Sequence, residues 1–333
     1  MKSRKVIDNL VPFTDVWYDI CFNHALFPII SHFGQNINYF LCNNVFSFQM
    51  NKTSMIPLLE LLDLSPNTIV SLLPDLGIIM QTKRTHDVVN ELIGSLDSCK
   101  PVILDVDCFY ESFRLDAYQK KHFGHNILFY GYDKDSEVFY IIEHDFRESL
   151  QFKERTISFE DTKNAYYGYL ENIKDNENFY TFSYNPSLNK IRNFNYQEYY
   201  KNNYREFADT ILNSETQILF FRDELIKNEE NTDLETLFPI LLKSLNNIVN
   251  KKRVQQYSLT TIFSLPEDLA NQLNNTVSIW STIRGIIFKS VLIANFKPTS
   301  LTKVCDNLVD VYEAERILNK LLIDFMQQSG SPA

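Results

Sequence analysis

The sequence is poor in the features that mark cofactor, metal, membrane and nucleic-acid proteins. Only 8 of its 333 residues are glycine, and none of them builds a Gly-rich phosphate loop, so nucleotide-dependent chemistry has no support. The histidines never stand in His-x-x-x-His or a similar ligand spacing, so no metal is expected. The five cysteines, Cys21, Cys42, Cys99, Cys108 and Cys305, are odd in number. They contain no Cys-x-x-Cys, which excludes a zinc ribbon and a thioredoxin motif. No apolar run is long enough to span a bilayer, and the N-terminus lacks the apolar core of a signal peptide. A cytoplasmic, reducing location without a membrane partner is therefore expected, with thiols available for chemistry. A formal charge of −10 without a sustained basic stripe argues against a nucleic-acid partner.

What is present suits a packed protein. Hydrophobic residues make up 44% of the chain and aromatic ones 14%, too many for a disordered polymer. The length suffices for one large domain or two ordinary ones. The pattern changes near residue 190, which predicts a first domain over 1–190 and a helical domain over 191–333. In the first, helices are expected over 22–33, closing on Gly34, and over 55–64 and 88–96. Another is expected over 66–76, with Pro66 in its first turn and Ser65 as its cap. Strands follow over 102–106, 126–130 and 138–142, the last two joined by a turn at 133–136. A helix then begins near Ser158 and runs through Ala165 and Tyr166, and 179–184 reads as one more strand. Beyond 195, apolar residues recur at helical spacing over 196–213, 215–227, 234–251, 266–288 and 301–326, which predicts a bundle.

The chemistry concentrates between Lys100 and Asp145. Three β-type runs each carry an ionisable residue near one end, with a polar linker between the first and second. The middle run opens on His125, after Gly124, and the third closes on Glu143, His144 and Asp145. A His beside a carboxylate on a neighbouring strand is half of a nucleophilic triad. Cys21, where a helix begins, is the candidate nucleophile, because free backbone N–H groups and the helix dipole favour a thiolate there. The same amides can help bind an oxyanion. Glu143 and Asp145 share one side-chain phase, so either can orient His125. His24 would share a helix face with Cys21, and His122 falls in the linker. Asp105 and Asp107, in an apolar run, need a partner or a cavity. Asp107, Trp17 and Tyr18 are candidates for substrate contact or for supporting the triad.

An early helical Cys, then a His on a strand, then a carboxylate on the next strand is the order of papain-like cysteine enzymes. Lys100-Pro101-Val102, Val106-Asp107-Cys108-Phe109-Tyr110, the His122 to His125 pair and Gly131-Tyr132-Asp133 resemble the N-terminal domain of the butirosin biosynthesis H-protein family. That group is related to bacteriocin-processing cysteine peptidases. The resemblance covers about residues 15–170. It implies an α+β, papain-like (C39-like) fold with an antiparallel sheet, here followed by the helical bundle. It also implies Cys21 as nucleophile, His125 as base and Glu143 as acid, where relatives usually carry Asp or Asn. Asp145 stays a rival. Asp15 lies where papain-like peptidases commonly place the Gln of the oxyanion hole.

By the same resemblance, the expected activity is acyl transfer. An acyl group held as a thioester on the phosphopantetheine of a carrier protein passes to a small amine in antibiotic assembly, a polythioamide being one such product. No cofactor of the chain's own is required. A peptidase or amidase of the same fold, or a silent scaffold protein, are the alternatives. An acidic carrier would dock on a basic cluster, of which Lys251-Lys252-Arg253 is the best available.

Overall fold

The computed structural model describes residues 3–51, 58–65, 67–146, 149–228 and 233–327. In chain order the elements are β1 (Arg4–Val6), α1 (Cys21–His32), α2 (Asn38–Leu41), β2 (Phe46–Asn51), β3 (Leu58–Asp63), α3 (Ile69–Leu72), β4 (Ile78–Lys83) and α4 (Val88–Asp97). They continue with β5 (Val102–Asp107), β6 (Gly124–Asp133), β7 (Val138–Glu143), β8 (Lys153–Ser158), α5 (Phe159–Asn172) and β9 (Phe179–Tyr184). Long helices follow: α6 (Tyr196–Ser214), α7 (Thr216–Asn228), α8 (Leu234–Ile262), α9 (Glu267–Leu292) and α10 (Pro298–Gln327). The class is α+β, an antiparallel sheet with a C-terminal helical region, compatible with a papain-like fold plus a helical bundle. Among the described residues no helix is long and apolar enough to cross a membrane.

Two compact units share the chain, Met1–Ile37 with Thr68–Phe194 and Asn38–Asn67 with Asn195–Ala333. In the first unit the sheet runs β4-β9-β5-β6-β7-β8, every pair antiparallel. Strand β6 is long enough to pair with β5 through its first half and with β1 through its second. Gly131 permits this: a Cβ there would stand 2.7 Å from the Lys5 carbonyl oxygen and 2.9 Å from the Tyr140 ring. All of β5 is buried, so both of its faces are covered, and α1, α4 and α5 pack against it. Val102, Ile103, Leu104 and Val106 are fully buried, each contributing about 1.5–3 kcal/mol.

Local signals account for most boundaries. Helix α1 ends at His32 with Phe33 as its C-cap, and Gly34 follows at φ +70°, the left-handed C′ conformation expected of it. Asp87 and Ser158 cap α4 and α5 by accepting from Asn90 N–H and Asp161 N–H. The Asp133 carboxylate accepts from the amides of Asp135 and Ser136, closing the β6–β7 turn.

Two expected helices are different objects. Residues 58–63 of the predicted 55–64 helix form strand β3, paired with β2, and 55–57 lie outside the described residues. Leu59 and Leu61 are buried while Leu58, Glu60 and Leu62 are less so, a period-two pattern that a Leu-rich run hides from a helical count. The 66–76 helix is shorter: Thr68 caps α3, and residues 73–76 continue as a 3₁₀ turn. Ser65 instead donates its hydroxyl to Asn43, and Pro66 lies outside the described residues.

The second unit packs the β2–β3 hairpin on α6, α7 and α8. Residues 38–67, which the sequence places within 1–190, therefore group with the helices beyond 194. The basic cluster at 251–253 is corrected here. Lys252 is only 2% exposed; its ammonium donates to Glu315 at 2.6 Å and to Gln255 at 2.9 Å. Trp280 Nε1 completes the network on Glu315 at 2.7 Å. Lys251 donates to the Leu61 carbonyl oxygen. With Lys252 neutralised in the bundle core and Lys251 held on Leu61, only Arg253 of the three is exposed, which leaves no cluster for an acidic partner.

Candidate active site

Strands β6 and β7 lie side by side, and their ends bring His125 and Glu143 together. His125 Nε2 stands 2.8 Å from Glu143 Oε2, and both side chains are completely buried. Glu143 Oε1 accepts the backbone N–H of His144 at 2.6 Å. The His144 Nε2 is 3.6 Å from the same oxygen, and the two imidazole rings are 5.0 Å apart. Gly124 admits the Tyr169 ring of α5 at the head of β6; a Cβ there would meet that ring at 3.0 Å.

Further buried charges surround the pair, and the sequence did not reveal them. The segment read as a polar linker buries Glu111 and Arg114 completely. Arg114 forms a two-pronged ion pair with Asp116, at 3.0 and 3.2 Å. Among the described residues neither oxygen of Glu111 has a hydrogen-bond partner. Only their placement in the 108–123 connection between two paired strands forces them inward, and no periodicity in Glu-Ser-Phe-Arg signals it.

Burial sets the protonation states. It pushes His125 and His144 down to about 4, Arg114 contributing in the same direction. Glu111 and Glu143 are pushed up, first by burial, and in Glu111 next by the charge of Glu143. Burial, then Glu111, holds the Cys108 thiol far above its ordinary value. Cys108 is thus a poor nucleophile, although it lies near the same carboxylates.

Helix α1 packs on β6 and β5, with Cys21 as its first, half-buried residue. Among the described residues no side chain caps this helix N-terminus. His24, one turn on, lies near enough to His125 to feel its charge. Its Nε2 accepts the Tyr18 N–H at 2.9 Å, and its ring lies 4.6 Å from Trp17 and 4.8 Å from Phe152. Burial pushes it down to about 4. His24 therefore organises the turn that leads into Cys21, and Tyr18 rests its ring against Phe27.

The other sequence candidates lie apart from the pair. Asp145 forms ion pairs with Arg155 and with Lys153. Asp107 is fully buried and accepts from His122 Nδ1 at 2.6 Å and from the amides of Phe109 and Phe123. It ties the end of β5 to the start of β6. Asp105 finds its partners in the Tyr180 hydroxyl, at 3.0 Å, and the Asn126 amide.

The stranded carboxyl of Glu111 has a measurable consequence. Burial raises it from 4.5 to about 7, so the native state holds this proton more tightly than the unfolded chain does. The stability it contributes is complete below about pH 4.5 and is lost as pH rises to about 7. Urea midpoints near pH 5 and near pH 7.5 should show a smaller decline in Glu111→Gln than in wild type. Equal declines would show that this carboxyl does not titrate in the folded state.

The site belongs to a class in which an α+β domain pairs a strand-borne His with an acid from the next strand. Residues 31–144 match the model of the family described as Butirosin biosynthesis protein H, N-terminal, the family that the motif block resembles. The match includes Glu111, Arg114, His125, Glu143 and His144, and it begins after Cys21. No curated protein matches the chain.

Proposed function

We propose that this protein is a cysteine-dependent acyltransferase of antibiotic biosynthesis. It would form an amide from an acyl thioester on a carrier protein's phosphopantetheine and a small amine. The observation that carries the reading is the buried His125–Glu143 pair, whose Nε2 is engaged at 2.8 Å while Nδ1 has no partner among the described residues. An ionised Glu143 accepts the Nε2 proton and leaves a lone pair on Nδ1. The family match to a butirosin biosynthesis protein supports the pathway class. The seat of α1 against β6 and the nearness of His24 to His125 support Cys21 as nucleophile.

In this reading His125, kept neutral by its low pKa, takes the Cys21 proton as the thiolate attacks the thioester carbonyl. The N-terminal amides of α1 face the oxyanion. The carrier's thiolate leaves with the proton from His125, and the acyl group rests on Cys21. The amine then attacks this thioester, His125 takes the amine proton, and the Cys21 sulfur departs as the amide forms. Water must be excluded from the acyl-enzyme for amide to prevail over acid. The phosphopantetheine arrives on the carrier, so the chain needs no cofactor of its own.

Intact-mass measurement after mixing with an acyl-carrier thioester should show one acyl adduct on the wild type. Cys21→Ala should show none, and His125→Ala should acylate about 10²–10⁴-fold more slowly. An equal adduct on Cys21→Ala would remove Cys21 from the mechanism. Release of free acid without any amine would make the enzyme a hydrolase.

A further inference from the structure

The end of β7 gathers three metal-ligand side chains that no helical spacing announces. Ligand atoms of His125, Glu143 and His144 all lie within 4.8 Å of one another, and the three side chains are fully buried. Among the described residues neither ring nitrogen of His144 has a hydrogen-bond partner. A buried imidazole left unbonded costs about 1–3 kcal/mol for each stranded group. Such a group in a native fold points to a missing partner.

Charge points the same way. Glu111 and Glu143 are two fully buried carboxyl groups within the fields of Arg114, already paired with Asp116, and, for Glu143, of Arg155, already paired with Asp145. Each guanidinium is matched by an aspartate, so Glu111 and Glu143, when ionised, add a surplus of negative charge in a buried space. A divalent cation offsets that surplus.

We propose that His125, Glu143 and His144 form a binding site for a divalent transition-metal cation of the zinc class. Two imidazole nitrogens and one carboxylate oxygen are its ligands, and a fourth position stays open. This donor set suits zinc, with metal–ligand distances of about 2.0–2.2 Å. Tetrahedral ligands at that radius stand roughly 3.3–3.5 Å apart. The 3.6 Å between His144 Nε2 and Glu143 Oε1 is already near this value. The 2.8 Å contact of His125 is with the other oxygen, Oε2, and must open. One oxygen serving both imidazoles needs the three ligand atoms, now within 4.8 Å of one another, to draw together. The inference goes beyond acyl transfer and does not depend on it. A bound cation would occupy the same His–Glu pair, so the metal-bound protein is an inactive form of the acyltransferase proposed above, and His125 serves as base only in the metal-free form.

The test uses full-length protein treated with a chelator and then titrated with Zn²⁺ against a competing indicator, and with Co²⁺ by visible absorption. Wild type should take up Zn²⁺ at one site of micromolar or tighter affinity and give the intense bands of four-coordinate Co²⁺. His144→Phe preserves the ring packed 4.4 Å from Phe152 and should weaken binding at least about 100-fold, beyond the loss expected from an outer partner. Glu143→Gln, which changes no volume, should do the same and decides the matter if His144→Phe fails to unfold cooperatively. No uptake by wild type, or unchanged affinity in a folded variant of either kind, overturns the site. Because neither titration reads acylation, loss of the Cys21 adduct would leave this result standing.

Discussion

Glu143→Gln is expected to slow Cys21 acylation by about 10³–10⁴, the scale of the acid-to-amide change in a serine-protease triad. The cause is the tautomer. A carboxylate 2.8 Å from His125 Nε2 accepts that proton and exposes the Nδ1 lone pair. A Gln amide can donate to Nε2 instead, which moves the ring proton to Nδ1 and leaves no base. Protonating Glu143 does the same, and burial raises its pKa. Wild-type acylation should therefore climb with pH as Glu143 ionises, and the Gln variant should lose that rise. Asp145→Asn is the control. Its carboxylate is engaged by Arg155 and Lys153 near the surface, pairs worth about 0–1 kcal/mol, so the rate should change no more than a few-fold. Single-turnover acylation measured by mass decides between them. A larger loss in Asp145→Asn than in Glu143→Gln would reverse the assignment of the acid.

Arg114→Met is expected to destabilise the protein by about 3–5 kcal/mol, the cost of removing one partner from a buried ion pair. Arg114 is fully buried and pairs with Asp116 through two nitrogens, and Glu111 and Glu143 both lie within its field. Methionine fills much of the volume and supplies no charge, so Asp116 loses its ion pair and Glu111 a nearby guanidinium, while Arg155 still acts on Glu143. Acid offsets part of the loss by protonating Glu111 and Glu143, so the deficit should shrink as pH falls. Urea unfolding at two pH values measures both effects. A loss under about 1 kcal/mol would mean that Arg114 is not the counter-charge of this cluster.

The strands and helices with clear chemistry were legible because their signals are local. Val102, Ile103 and Leu104 read as a buried strand from side chains alone, and Gly34 marks a helix end by its own backbone freedom. The 58–63 segment was illegible because Leu-Leu-Glu-Leu-Leu satisfies both periods, and pairing with β2 chose between them. Lys252 read as surface because Lys usually is; Glu315, 63 residues away in sequence, made burial possible.

By itself the sequence determined which residues carry titratable chemistry at strand ends, and the order Cys, His, acid along the chain. Those are properties of residue type and near-neighbour spacing. Tertiary structure alone decided that Glu143 rather than Asp145 meets His125, that Asp107 ties strands together, and that Glu111, Arg114 and His144 share one buried space. The reason is that desolvation and long-range pairing depend on what the fold places opposite each side chain. No local pattern encodes that.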